Sequence, residues 1–362
     1  MVKKVLVLGG GSAGFLAAIT LKQRLPHLQV DVLRSKDIGI IGVGEGTSFA
    51  VPRHLHGYMK IDQGEFYREV DPVWKLGIRY IWGPRPVFDY VFGPCFDTRY
   101  VALPKETGYY CQEDTSDSSL NGALMARNKA FARTREGWPH IEPHYAYHLE
   151  NEKFVRYLEA LAARRGISIA DGTVVDVRQD GDGGVADVLL ASGERLSADL
   201  YVDASGFRSL LLGKTFGEPF VSFKSSLFCD RAVVGGWDRG ADEPIQPYTV
   251  AETMDAGWCW RIDHTHRINR GYVYSSSFIS DEDAEREYRA KNPKVESARV
   301  IRFMTGHYAR AWVKNVVAIG NSNGFVEPLE STAIAHICVM SQNLAEMLAE
   351  SEFQPRPSLV GL

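Results

Sequence analysis

Apolar side chains occupy every position of Val5-Leu6-Val7-Leu8 and then give way to Gly9-Gly10-Gly11. An unbroken apolar run closed by turn residues predicts a short strand buried on both faces. Apolar residues return at helical spacing over 13–25, and Gln29-Val30-Asp31-Val32-Leu33 alternates as a second strand. Together they predict a strand–helix–strand unit with its strands parallel. A glycine-rich stretch, 38–48, leads into a predicted helix around 50–60. The stretch 82–145 is rich in Tyr, Phe, Pro and Trp but has little period, and reads as strands and loops over a pocket.

Helical spacing resumes at 151–165, where Phe154, Leu158 and Leu161 share a face. Strands are expected at 167–169, 174–178 and 186–190, the last two joined by the turn Asp180-Gly181-Asp182-Gly183-Gly184. Another, 199–202, runs into Asp203-Ala204-Ser205-Gly206, and strand-like segments continue to about 277. A charged helix at 281–291 opens with Ser280-Asp281. A strand at 315–319 precedes a helix from about 331 to 350, whose Ile334, Ile337, Met340, Leu344 and Leu348 face a sheet. The order of elements predicts an α/β protein: a Rossmann-like three-layer fold with an inserted sheet-rich region.

Composition narrows the functional classes. The 362 residues carry a formal net charge of −4, so no basic field recruits nucleic acid or anionic lipid. Five cysteines (Cys95, Cys111, Cys229, Cys259, Cys338) are scattered without a C-x-x-C pair, which argues against a disulfide framework or a zinc knuckle. Lys3-Lys4 and the apolar run after them could pass for a signal peptide, but the glycines fit a strand entering a helix better. With no unbroken apolar stretch of membrane-spanning length, the chain reads as soluble and cytoplasmic. His54/His56, His140/His144/His148 and His264/His266 have metal-like spacings, yet no acid or thiol completes a ligand set, and no metal is expected.

Gly9-x-Gly11-x-x-Gly14 lies between a strand and a helix, the context of a dinucleotide loop. The first glycine permits the turn and the second lets the backbone approach a pyrophosphate. The third lets helix and strand pack closely, with Ser12 and Ala13 opening the helix beneath the anion. At the end of the second strand, where an acid commonly binds the ribose, stands Arg34. It reads either as an altered adenosine contact or as a solvated surface arginine.

Three further segments join this loop. Gly42-Val43-Gly44-Glu45-Gly46-Thr47 is a second glycine-rich turn. Trp258-Cys259-Trp260-Arg261-Ile262 puts two indoles on one face of a strand. Gly320-Asn321-Ser322-Asn323-Gly324-Phe325-Val326-Glu327-Pro328-Leu329-Glu330-Ser331-Thr332 brings two carboxylates and free backbone N–H groups to a helix start. This combination resembles the tryptophan halogenase family. The family's hallmarks are an N-terminal G-x-G-x-x-G, a G-V-G-E-A/S-T strap, W-x-W-x-I-P and a late E-P-L-E-S-T. The chain departs from them with Gly46 in the strap and Asp263 after Ile262. The likeness runs from about residue 4 to 350 and includes Asp203-Ala204-Ser205-Gly206-Phe207-Arg208 and Gly271-Tyr272-Val273-Tyr274-Ser275-Ser276.

The resemblance implies reduced FAD, delivered by a separate flavin reductase, and a halide, chloride or bromide. Oxygen and halide then yield hypohalous acid, which passes to a lysine beside an electron-rich aromatic substrate. The lysine pattern of the family, placed in a short helix, falls on Trp74-Lys75-Leu76-Gly77-Ile78-Arg79-Tyr80 and identifies Lys75; the active-site glutamate falls on Glu330. The backbone amides of Ser331, Thr332 and Ala333 are placed at the halide, and Trp258 and Trp260 between substrate and flavin. Gly9, Gly11, Ser12, Ala13, Gly14, Arg34, residues 42–47, Asp203, Gly320 and Asn321 are placed around FAD. An FAD-binding module is expected from 1–81, 146–215 and 300–350, and a substrate region from 82–145 and 216–299, in one joined unit. The family's helical C-terminal region is expected to be missing, which makes the chain either truncated or a compact relative with an open site. An open site fits a tethered or peptide-borne aromatic as well as a small one. A flavin monooxygenase or oxidase, a non-catalytic flavin protein and, more distantly, a nicotinamide dehydrogenase that would explain Arg34 are the alternatives, and a homodimer is left open.

Overall fold

The computed structural model describes residues 1–39, 42–83, 85–93, 119–141 and 143–353. Cys95 and Cys111 lie outside them; Cys229, Cys259 and Cys338 are free thiols. Strand β1 (Lys4–Leu8) runs parallel to β2 (Gln29–Arg34) on one side and to Leu200–Asp203 on the other. Ser168–Asp171 and Val316–Ala318 extend the parallel sheet, and Trp312–Val313 closes it antiparallel. Alternation along β1 sorts the layers. Val5 and Val7 face α1 (Ser12–Arg24) and the helices Asn151–Arg164 and Ala333–Glu350, whereas Leu6 and Leu8 face a three-stranded antiparallel sheet carrying Val188 and Leu190. The result is a mixed α/β, Rossmann-like three-layer arrangement, with the hairpin around Asp180–Gly184 where the turn residues put it.

A second sheet of seven strands holds the indoles. Its order is Ala298–Arg302, Arg231–Asp238, Arg267–Tyr274, Gly257–Asp263, Thr249–Met254, β5 (Gly77–Trp82) and β6 (Arg85–Val91). One face carries Trp258, Trp260 and Ile262; the other carries Cys259, Tyr272 and Tyr274 against the helix Asp281–Lys291. Ser280 caps that helix by accepting from the Asp283 amide at 3.1 Å.

A small sheet joins the two large ones: β3 (Glu45–Gly46), the strand Ala146–Leu149 and β4 (Val73–Lys75). Lys75 therefore sits on a strand, where a short helix was expected. A helix does come first, at Gln63–Val70, but Asp71 turns left-handed (φ 53°) and Pro72 follows, so the chain leaves extended. The helix expected around 50–60 is a short α-turn, Ala50–Pro52, continued as a π-turn over Arg53–Tyr58. Within 82–145, where strands and loops were expected, Leu120–Ala126 is helical, capped by Ser119. Among the described residues, no helix is long and apolar enough to cross a membrane.

Candidate active site

A cavity of about 960 Å³ extends from the first glycine loop to the paired indoles. Gly9, Gly11, Ser12, Ala13 and Arg34 line one end, and Val43, Gly44, Glu45 and Gly46 one wall. Trp258, Trp260, Asn321, Ser331, Thr332 and Ala333 border it as well.

The glycine loop has the build that a pyrophosphate requires. A Cβ on Gly9 (φ 139°) would meet the Ala204 carbonyl oxygen at 2.2 Å, and one on Gly14 would meet the Gly9 oxygen at 1.9 Å. Above Gly11, by contrast, a Cβ would touch nothing within 4 Å. Gly11 caps α1 with no side-chain hydrogen bond, so the first amides of the helix face the cavity without a protein acceptor. Arg34 is no solvated surface arginine: its Nη1 pairs with Glu159 at 2.6 Å, while its Nε is buried without a partner among the described residues. An orphaned donor at the adenosine end and an uncapped helix start both fit a dinucleotide.

Several residues placed around the cofactor do not line this cavity. The Asp203 carboxylate is buried and consumed internally, accepting from the amides of Leu211 (2.7 Å) and Leu212 (3.0 Å) and from Ser205 Oγ (2.6 Å). It fixes the turn that presents Ser205 and Phe207 to the cavity. Gly14 and Gly320 act through packing, and Thr47 exchanges hydrogen bonds with the backbone of Tyr147. Gly42 borders a neighbouring cleft.

Lys75 lies behind the cavity wall. Its side chain is wholly buried, its Nζ donates to Ser331 Oγ at 2.8 Å, and the Phe92 ring centroid is 5.4 Å away. Loss of hydration disfavours the ammonium and brings the amine down to about 7. Gly46 makes this contact possible: a Cβ there would lie 2.9 Å from Ser331 Oγ and 3.3 Å from Lys75 Nζ. Glu45, next to it, is half-buried in the cavity wall, and loss of hydration raises its carboxyl to about 7 against an opposing hydrogen bond from Asn151.

Glu330 is exposed and forms no ion pair with Lys75 among the described residues. It ends a 3₁₀ turn, Pro328–Glu330, after which Ser331 is left-handed (φ 57°) and points its hydroxyl inward. The Ser331 amide closes that turn on the Pro328 carbonyl at 3.1 Å, so Thr332 and Ala333 supply the amides at the uncapped helix start.

The indoles of Trp258 and Trp260 are buried side by side, with centroids 6.2 Å apart. Trp258 Nε1 donates to Glu327, whose carboxyl burial pushes upward, and Trp260 Nε1 is buried without a partner among the described residues. Asp263, where the family pattern has proline, is buried against Arg261 (2.7 Å) and accepts from the Gln246 amide (3.0 Å). Thr249, which lines the cavity, and the buried His148 bonded to it at 2.9 Å belong to none of the motifs legible in the sequence. Histidine spacing drew attention to His148 only as a metal ligand; its partner lies 101 positions away. Among the described residues, no three His, Cys, Asp or Glu side chains converge as a metal would need.

Comparison with known proteins meets this geometry from outside. A family model described as tryptophan halogenase matches residues 4–359. The chain is 32% identical to the 7-chloro-L-tryptophan 6-halogenase KtzR of Kutzneria sp. (strain 744), over 97% of this chain and 74% of that protein. It is 30% identical to the tryptophan 7-halogenase RebH of Lentzea aerocolonigenes, over 98% and 71%. Among solved structures, MibH, a lanthipeptide tryptophan 5-halogenase, superposes with a TM-score of 0.88 at 41% identity, over 99% of this chain and 68% of that one. Xcc4156, a flavin-dependent halogenase from Xanthomonas campestris, gives 0.87 at 29%, over 99% and 73%. With a glycine-built dinucleotide cavity, paired indoles and a buried lysine in one fold, the chain belongs to the tryptophan halogenase family, FAD-dependent enzymes acting on aromatic substrates.

Proposed function

We propose that this protein halogenates an electron-rich ring, with Lys75 handling the halogen and Glu330 taking the displaced ring proton. The Lys75 amine carries this reading: buried, held by Ser331 and brought to about 7, it lies next to a dinucleotide cavity. Reduced FAD, supplied by a separate flavin reductase, provides two electrons with which oxygen and chloride or bromide yield hypohalous acid and water. Near neutral pH Lys75 is part ammonium and part amine. As ammonium it donates a proton to the hypohalous oxygen while the ring attacks the halogen; as amine it takes up the halogen itself. Either way the ring gains halogen, loses a proton to Glu330 and water leaves.

The amides of Thr332 and Ala333 offer a halide two donors at a helix start. Trp258 and Trp260 form a wall that separates the substrate from the cofactor. Arg34, through its free Nε, is assigned to the adenosine end. The FAD module is assigned to 1–81, 146–215 and 300–350, with the substrate region from 82–145 and 216–299. For the substrate, a tryptophan within a peptide is favoured over the free amino acid. The 41% identity to MibH, above the 32% to KtzR, supports it.

The test supplies FAD, a reductase with NADH, oxygen and either halide to a panel of free indoles, phenols and tryptophan-containing peptides, read by mass spectrometry. A halogen isotope pattern on peptides, absent with Lys75→Ala, is the expected result. Gain of one oxygen without halogen would replace this reading by a monooxygenase.

A further inference from the structure

The strand register places Gly46 and Val73 opposite His148, and Lys75 opposite Ala146 two positions along. Residues two apart on a strand share a face, so Lys75, His148 and the bare Cα of Gly46 look to the same side. Thr249, from the large sheet, meets them there. The point where a Gly46 Cβ would stand is 3.0 Å from Thr249 Oγ1, 2.9 Å from Ser331 Oγ and 3.3 Å from Lys75 Nζ. Three polar atoms from three separate parts of the chain thus border one gap at the edge of the cavity.

Hydrogen-bond roles around His148 follow from chemistry. Its Nδ1 lies 3.1 Å from the Asp263 carbonyl oxygen, which only accepts, so Nδ1 carries the proton. Nε2 then holds the lone pair, and Thr249 must donate to it across 2.9 Å. The ring stays neutral, because burial and the nearby Lys75 and His264 oppose a second proton. With its hydrogen committed to His148, the Thr249 oxygen presents lone pairs to the gap.

We propose that His148, acting through Thr249, is a positioning residue for the Lys75 amine: it fixes the hydroxyl as an acceptor toward N–H or O–H groups in the gap. This rests on the assignment of Lys75 above. Were His148 lost, the hydroxyl could turn and donate into the same gap, opposing the donors it now favours. Among the described residues, the surroundings contain little else to polarise the amine. Ser331 comes from the turn before the last helix and Phe92 follows β6. The Glu45 carboxyl on β3 is engaged with Asn151, and Glu330 is exposed. Ala146 faces Lys75 across the small sheet, and from the large sheet the polar group is Thr249 itself.

The experiment titrates lysine labelled with 13C at Cε, the Lys75 resonance being identified by its loss in Lys75→Met. Thr249→Val is expected to lower the Lys75 midpoint by about half a pH unit or more, roughly threefold in proton affinity. Thr249→Ser should restore it, and His148→Phe should lower it by less than Thr249→Val. The pH profile of halogenation should move with the midpoint. An unchanged midpoint in either Thr249→Val or His148→Phe overturns the proposal. If His148→Phe fails to fold, an unchanged midpoint in Thr249→Val still overturns it, since valine matches threonine in shape. A wild-type protein that titrates as expected yet halogenates nothing sinks the reading of Lys75 and leaves this coupling standing. Active halogenation with no shift in the variants does the reverse.

Discussion

Replacing Lys75 by methionine keeps most of the side-chain volume and removes a cation that the fold disfavours. The amine titrates near 7 in the folded chain and at 10.5 when solvated. Between those values the unfolded chain binds the proton and the folded one does not, so stability rises with pH across that window. Urea unfolding of the wild type should show this rise, and Lys75→Met should lack it while abolishing halogenation. Glu45 has the opposite sign. Its folded value of about 7 lies above the ordinary 4.5, so the folded chain holds the extra proton and stability falls as pH climbs from 4.5 to 7. Glu45→Gln should flatten that fall in the same measurement. In the sequence, Lys75 was legible only through the family resemblance carried by Trp74-Lys75-Leu76-Gly77-Ile78-Arg79-Tyr80. Its burial was not, because the Gly46 gap and the Ser331 hydroxyl come from 29 positions before it and 256 after it.

Elements were legible where one period ran for several residues: β1, α1 and β2 stand where the apolar spacing put them. The failures have local causes. Asp71-Pro72 ends a helix just before Lys75, and Val73-Trp74 continues as a strand. The glycine loop between β1 and α1 supplies a sharp test. Gly9→Ala places a methyl 2.2 Å from the Ala204 oxygen, so the turn must open. FAD affinity, followed by flavin fluorescence, should fall at least tenfold, about 1.4 kcal/mol. Ser280→Ala, at the cap of the remote helix Asp281–Lys291, should cost about 1 kcal/mol in urea unfolding and leave halogenation unchanged.

Over the whole molecule, the cavity lies where the parallel sheet, the seven-stranded sheet and the small joining sheet meet. A ligand filling it would tie layers that are far apart in the chain. Added FAD at a hundred times its dissociation constant should stabilise the protein by about 2.7 kcal/mol. A thermal melt should show one transition moving upward, and Gly9→Ala should blunt the shift. The layered plan was legible because an unbroken apolar β1 needs cover on both faces. The convergence of Thr249, His148 and Ser331 at Gly46 was not, since no local pattern records which distant loops share a corner.

The indoles that border the cavity are themselves electron-rich rings, buried beside the place where hypohalous acid would form. They belong to the same chemical class as the intended substrate and cannot leave. Hypohalous acid formed there would set a race between delivery and self-inflicted damage, and activity would then be lost per turnover rather than per hour. Spent protein should carry halogen on Trp258 or Trp260 in peptide maps, and more of it when substrate runs short.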